Sequence, residues 1–497
     1  MTQTESTRPD AVPDIGAIHP VPSLTPDRRR AADPVAHLTR AQRESRGDAA
    51  RVLLPRSGLA ALGALDTRPD PIDLLVSQGT TRVPELVPLR YGRMATSAFA
   101  FYRGAALIMA SDLAATPDSG LDVQLCGDAH ISNFGLYGTP ERRLLFDLND
   151  FDETLPGPFE WDVKRLVASA EIAARGLDID TKERRSILLE IAKAYRTAMR
   201  TFARQPNLDV WYARLDVDDH LREFSSTLGK AQQKKTQSTV RKARSRDHLK
   251  AVEKLTEVVG GSRRFLSDPP LVTTLVELLG ETAAHEFTEA MGKLISAYRS
   301  SLQPDRQHLL NQYRVVDMAR KVVGVGSVGT RAWIVLLQGV DDSDFLVLQA
   351  KEAQVSVLEQ FLGASEYTQS GQRVVEGQRL MQAASDTMLG WQRNTGIDGI
   401  ERDFYIRQLR DWKGSAVVEE MTPDGFRQYG GLCAWTLARA HARSGDRVAI
   451  ASYLGGSKAA DEAFATFAVE YADRTERDYA SLLAAISTGR LEAVHGI

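Results

Sequence analysis

The chain has 497 residues, 43% hydrophobic and 26% charged, the balance of a globular protein with a sizeable core in about three domains or two large ones. Its 62 Lys and Arg against 65 Asp and Glu give a net charge of −3, so no global field argues for DNA, RNA or an anionic membrane. Two cysteines, Cys126 and Cys433, exclude a disulfide framework and a Cys-based zinc site and suit a reducing cytoplasm. No apolar run approaches the ~18–20 residues of a membrane span.

Residues 1–45 are rich in Pro, Thr and Asp, lack the apolar segment of a signal peptide, and read as a disordered tail of a cytoplasmic protein. From 46 to 84 Pro and Gly break the pattern, with one short helix expected around Pro71–Gln78. The segment 90–115 ends in a helix, where Phe101, Ala105, Leu107, Ile108 and Leu113 keep helical spacing.

Residues 124–153 concentrate the chemistry. Gly127-Asp128 is followed five residues later by Asn133, and the apolar run Leu144-Leu145-Phe146 delivers Asp147, Asp150, Asp152 and Glu153. In phosphoryl transfer one Asp orients the attacking hydroxyl, while an Asn from the same loop and a carboxylate beyond the next strand hold Mg²⁺. The expectation is therefore Asp128 as catalytic residue, with Asn133 and Asp150 as metal ligands and Asp147 as the alternative to Asp150. The competing reading is an Asp/Asn-rich turn. His130 is expected to orient the loop. Asp162 either caps a helix or braces the loop that holds Asp128.

Residues 180–310 read as mostly helical. Within them, 230–250 carries Lys230, Lys234, Lys235, Arg241, Lys242, Arg244 and Arg246. This is a solvated helix face or a positive rim for an acidic substrate. RNA is a remote alternative, because no aromatic residues interleave the cations. The character changes at 321–353, which is Gly-rich and then β-rich. Gly324, Gly326, Ser327 and Gly329 form a loop followed by a strand from Ala332, the turn Asp341-Asp342-Ser343-Asp344, and a second strand ending at Lys351. A P-loop needs Lys-Ser/Thr after the last Gly and a Rossmann loop opens a helix. Strand, glycine loop, strand, Lys instead suits a kinase-type cover over nucleotide phosphates. The alternative is a surface hairpin with an exposed Lys. Lys351 needs a carboxylate partner: Glu376 on the next helix, or Glu359 or Glu366. Strands are expected at 388–392 and 403–409, then helices from about 417. Arg331, Arg407, Leu409 and Arg410 fall near the expected nucleotide cleft. Gly445 reads as a helix stop after His441, with Asp446 beside it.

Gly127-Asp128-x-His130-x-x-Asn133, Asp150, Gly157-Pro158 and Asp162, in that order, resemble the aminoglycoside and choline phosphotransferase branch of the protein-kinase-like superfamily. The whole sequence also resembles an uncharacterised bacterial family of the domain-of-unknown-function kind. The first resemblance implies a two-lobed α+β kinase-like fold, ATP and Mg²⁺ as cofactors, and a hydroxyl-bearing acceptor that is a small molecule or a protein. The glycine loop follows the catalytic loop instead of preceding it, and no Asn occurs after Asn394 to serve a second catalytic loop. The expected arrangement is therefore circularly permuted. It has a catalytic part at 46–312 with a helical subdomain at 180–312, and a nucleotide-clamping β domain at 313–413 with a hinge near 407–411. C-terminal helices at 414–497 pack back on the catalytic part. AMP transfer by the same fold, or nucleotide binding without turnover, are the alternatives.

Overall fold

The computed structural model describes residues 37–219, 230–244, 248–282, 284, 295–396, 398–409, 412 and 414–496. They form a mixed α+β protein with antiparallel sheets. The strands are β1 (Asp122–Leu125), β2 (Phe134–Gly138), β3 (Leu144–Leu148), β4 (Leu155–Pro158) and β5 (Leu215–Asp216). Next come β6 (Thr256–Val259), β7 (Ser262–Phe265), β8 (Val272–Thr274), β9 (Arg314–Lys321) and β10 (Ala332–Gln338). The last are β11 (Phe345–Ala353), β12 (Gly390–Thr395), β13 (Glu401–Gln408) and β14 (Gly414–Ser415). The largest sheet runs β12-β13-β11-β10-β9-β8; a second runs β14-β2-β3-β5; β1 pairs with β4, and β6 with β7.

The large sheet is covered on both faces, which is why β10 reads as an unbroken apolar run. Trp333, Val335 and Leu337 enter one core cluster with Leu346 and Leu348, while Ile334 and Leu336 enter another with Phe345 and Val347. Each such Ile or Leu contributes roughly 1.5–3 kcal/mol by burial. The period of two then decides where Lys351 points: to the same side as Val347. Tyr405 stands directly across from Lys351 in the β11–β13 register, so the two side chains share a face.

The central stretch is built differently. The β2–β3 hairpin and the β1–β4 pair surround a helix, Phe159–Gly176, that is buried along nearly its whole length. The helices Thr181–Phe202, Pro423–Ser444 and Ala459–Ser487 pack around it. Pro423–Ser444 lies beneath the loop that carries Asp128 and Asn133, as Tyr429 donates its hydroxyl to the carbonyls of Ile131 (2.9 Å) and Phe134 (3.1 Å). The helices Val87–Met94, Ala98–Arg103 and Ala106–Ala114 close against the Gly-rich loop, where Val83 N–H donates to Gly329 O (2.8 Å) and Arg93 to Gly324 O (2.6 Å).

Two expectations about the chain's course change. Helix starts at Arg40, within the expected tail, because Thr39 and Gln42 form a reciprocal capping box; residues 1–36 lie outside the described residues. The span 180–312 holds β5 to β8, and β8 pairs with β9 to extend the large sheet. The β6–β7 hairpin turns on Gly260-Gly261, both with positive φ. The basic stretch does form a helix, Lys230–Arg244, on which Lys234, Arg241 and Arg244 are exposed and Arg244 pairs with Asp218. The side chains of Lys230, Lys235, Arg246 and Arg410 lie outside the described residues.

Candidate functional site

A cavity of about 140 Å³ separates the Gly-rich loop from the central stretch. Asp128, Asn133, Asp150, Asp152, Gly324 and Ser327 line it. Two segments far apart in sequence therefore meet across one space.

Asp128 is positioned by its neighbours. Gly127 takes φ +82°, and a Cβ there would stand 2.4 Å from Glu153 O, so only glycine fits this turn. The Asp162 carboxylate receives the N–H groups of Cys126 (2.7 Å) and Gly127 (3.0 Å), and so braces the loop instead of capping its own helix. Asp162 is held in turn by His441 Nε2 (3.1 Å), whose Nδ1 meets the Tyr195 hydroxyl (2.8 Å). Of the residues around Gly445, His441 thus anchors this chain of bonds. Asp446 caps the next helix by accepting from Ala449 N–H (3.1 Å).

Arg165 is the residue that sequence reasoning missed here. It stands three residues after Asp162 on the same helical face. Its Nε (2.8 Å) and Nη2 (2.7 Å) grip Asp128 Oδ1. Burial raises the Asp128 pKa above the ordinary carboxylate value, and the Arg165 charge opposes that rise. His130 Nε2 is 3.7 Å from Asp128 Oδ2, and burial drives its imidazole well below the usual value, so it is neutral at physiological pH.

Lys351 Nζ donates to Asp152 Oδ2 (2.7 Å), and Tyr405 donates its hydroxyl to Asp152 Oδ1 (2.7 Å). Ser327 of the glycine loop reaches the same carboxylate (3.4 Å). Burial alone would raise Asp152, but Lys351 and the Tyr405 bond outweigh it and hold its pKa below the usual value. Asp150 goes the other way, raised by burial and then by the Asp152 charge. Burial would lower Lys351, yet the two aspartates keep it firmly protonated. Arg407 donates to Asn149 O (3.2 Å), and its charge acts on Asp150 and Asp152.

Several expected residues stand elsewhere. Glu376 does not meet Lys351 but pairs with Arg379 (3.1 Å) one helical turn on. Glu359 stands 3.6 Å from Arg373, and Glu366 is exposed. Asp147 does not reach the cavity: it is 1% exposed and bonded to Arg439 and to Ala383 N–H (2.9 Å). Leu409 packs into the core with Val252 and Phe265 and does not face the cleft. Arg331 is committed to Glu352 (3.3 Å). Gly329 sits behind the loop, its Cβ direction closed by Arg82 at 3.1 Å.

The donor set suits one small hard cation. Asn133 Nδ2 donates to Asp128 O (2.7 Å), which leaves its Oδ1 to coordinate; Asp150 accepts only the Asp152 N–H (3.2 Å) among the described residues. Among those residues no three His, Cys, Asp or Glu side chains assemble a cage. A cation held by one carboxylate and one carboxamide must take its remaining oxygens from water and a ligand, as Mg²⁺ usually does.

Glu153, whose Oε2 accepts from Val357 N–H (2.8 Å), is pushed up to about 7 by burial. Its folded pKa thus exceeds the unfolded value of about 4.3. The native state binds the extra proton, so this contribution is complete below about pH 4.3 and is lost as pH rises through about 7. Glu153→Gln keeps the acceptor for Val357 and is expected to raise the melting temperature at pH 8 but not at pH 4. Equal shifts at both pH values would contradict this assignment.

Fold and cavity together define an α+β protein with a brace-held acidic loop on one wall of the cavity, the glycine loop on the other, and Lys351 buried against Asp152. The chain belongs to the family described as "Uncharacterized protein conserved in bacteria (DUF2252)", whose pattern matches residues 82–485. No curated protein and no solved structure matches it. The family match begins at Arg82, so it includes both walls of the cavity from that residue onward.

Proposed function

We propose that the protein is a phosphotransferase with a kinase-like two-lobed fold in permuted order, moving a phosphoryl group from Mg²⁺–ATP to a hydroxyl. One observation carries this reading. Lys351, at the end of the strand after the glycine loop, contacts Asp152, two residues beyond Asp150 and 199 residues away in sequence. Asp152 lines the same cavity as the glycine loop, Asp128, Asn133 and Asp150, so the contact sets the cation of Lys351 directly behind that lining.

Mg²⁺–ATP would supply the transferable phosphoryl group and neutralise charge developing on its oxygens. Asn133 Oδ1 and Asp150 would hold the metal. Lys351 would bind phosphate oxygens, held ready by Asp152 and Tyr405. Asp128 would orient the acceptor hydroxyl and take its proton as the new P–O bond forms and the bond to ADP breaks. Arg165 fixes one Asp128 oxygen and leaves Oδ2 for this task. A non-catalytic nucleotide binder has no use for a carboxylate held in that way. Product mass separates phosphoryl from AMP transfer.

Calorimetric titration of the wild type with ATP is expected to show binding that requires Mg²⁺. In Asp150→Ala the Mg²⁺ dependence is expected to disappear. Metal-independent binding that is identical in both proteins would sink the proposal.

A further inference from the structure

The cavity has a cationic lining that this chemistry leaves unused. Arg82, Arg90 and Arg103 all face it from the segment that closes on the glycine loop. Arg90 is fully buried and Arg82 is 8% exposed. Arg90 Nη2 donates to Gln78 Oε1 (3.0 Å) and Gly104 O (2.9 Å), and Arg82 Nη1 donates to Val328 O. These bonds fix both guanidinium planes. They leave Arg82 Nε, Arg90 Nε and Nη1, and Arg103 Nε with no acceptor.

Arg90 is not balanced by a carboxylate: the charge acting on it most is that of Arg82, a like charge. Arg82 feels Glu153, Glu352 and Asp152 without bonding to any of them. Buried N–H donors without acceptors, on neighbouring cations, are costly to keep. An oxyanion relieves both costs at once, because guanidinium forks match its oxygens in geometry and in charge.

We propose that Arg82, Arg90 and Arg103 form a binding subsite for a phosphate-class oxyanion. The subsite stands on its own donors and does not require the phosphotransfer reading. If that reading holds, the oxyanion belongs either to the acceptor or to the nucleotide. Arg103 ties it to the acceptor, since it lines the cavity together with Asp128 and His130, on which its charge acts and beside which the acceptor hydroxyl would stand. The acceptor is then a hydroxyl compound that already carries a phosphate-class group.

The test titrates the full chain with inorganic phosphate by calorimetry and follows thermal melts. Wild type is expected to bind phosphate saturably and to melt higher in its presence. Arg103→Gln and Arg82→Gln are expected to bind it at least ~10-fold more weakly. Arg103 is only half-buried, so its variant keeps the test open should a change at Arg82 unfold the chain. Absence of saturable binding by wild type, or wild-type affinity in both variants, overturns the subsite. A second titration in saturating Mg²⁺–ADP assigns the source. Phosphate binding that persists belongs to the acceptor, and binding that is lost by competition belongs to the nucleotide; the subsite stands in both cases. A wild type that binds phosphate but no nucleotide overturns the phosphotransfer reading alone.

Discussion

Asp128→Asn is expected to slow phosphoryl transfer by about 10²–10⁴-fold, the usual contribution of a positioned general base, while Mg²⁺-dependent nucleotide binding survives. The substitution preserves shape and still offers Arg165 one acceptor oxygen, but it removes the group that, in the proposed reaction, would take the hydroxyl proton. Arg165 keeps its bond to Tyr102 O (2.7 Å) and its place over the Tyr102 ring (3.8 Å), so the loop retains its support. The measurement is ADP release from Mg²⁺–ATP in the presence of a metabolite pool as acceptor, beside a binding titration of the same variant. The wild-type rate is expected to rise with pH through a pKa above the ordinary carboxylate value, because buried Asp128 must lose its proton to act. A variant that keeps more than about a tenth of the rate would remove Asp128 from the chemistry.

Asp147→Ala carries the largest expected loss of stability, about 3–5 kcal/mol, because Arg439 is left as a buried charge with no counter-ion. Both side chains are 1% exposed, so water cannot take over the lost partner. Chemical denaturation measures the loss directly. Replacing both partners by apolar residues of similar volume is expected to recover much of it, since the penalty lies in the orphaned charge. Metal-dependent nucleotide binding is expected to be unaffected in the folded fraction. Asp150→Ala should show the reverse, a small change in stability and a lost metal response. An Asp147 variant that is as stable as wild type but blind to Mg²⁺ would reverse these assignments.

Lys351 and Glu376 show what sequence patterns carry. The alternation along β11 names the face on which Lys351 lies, because side chains alternate strictly along a strand. Glu376 had the right spacing from Lys351, but spacing along a helix does not tell which side meets the sheet. The charged residue that Ser370–Met381 buries is Arg373, which donates to Thr154 O (2.7 Å) and Asp152 O (2.9 Å). That helix therefore grips the backbone of the acidic stretch, and the lysine's partner comes from the stretch itself. Asp152 was visible in the acidic cluster, but nothing local separates it from Asp150. Both line the cavity, and they differ in their partners: Lys351 and Tyr405 bond Asp152, while Asp150 accepts the Asp152 N–H. Asp147 stood beside Asp150 as the alternative on spacing; its burial against Arg439, 292 residues away, keeps it out of the cavity that Asp150 lines.

The sequence by itself determined the local pieces. Gly127 and the Asp128–Asn133 spacing form one loop because a positive φ and a short reach are properties of neighbouring residues. The unbroken run of β10 and the Asp-rich turn after it define a hairpin for the same reason. Tertiary structure alone decided the partnerships: Arg165 on Asp128, Asp152 on Lys351, Arg439 on Asp147, and three arginines around one cavity. Periodicity records which face of an element is buried, but what lies across that face is set by packing between segments hundreds of residues apart. A buried charge is stabilised by whichever group that packing brings within bonding distance.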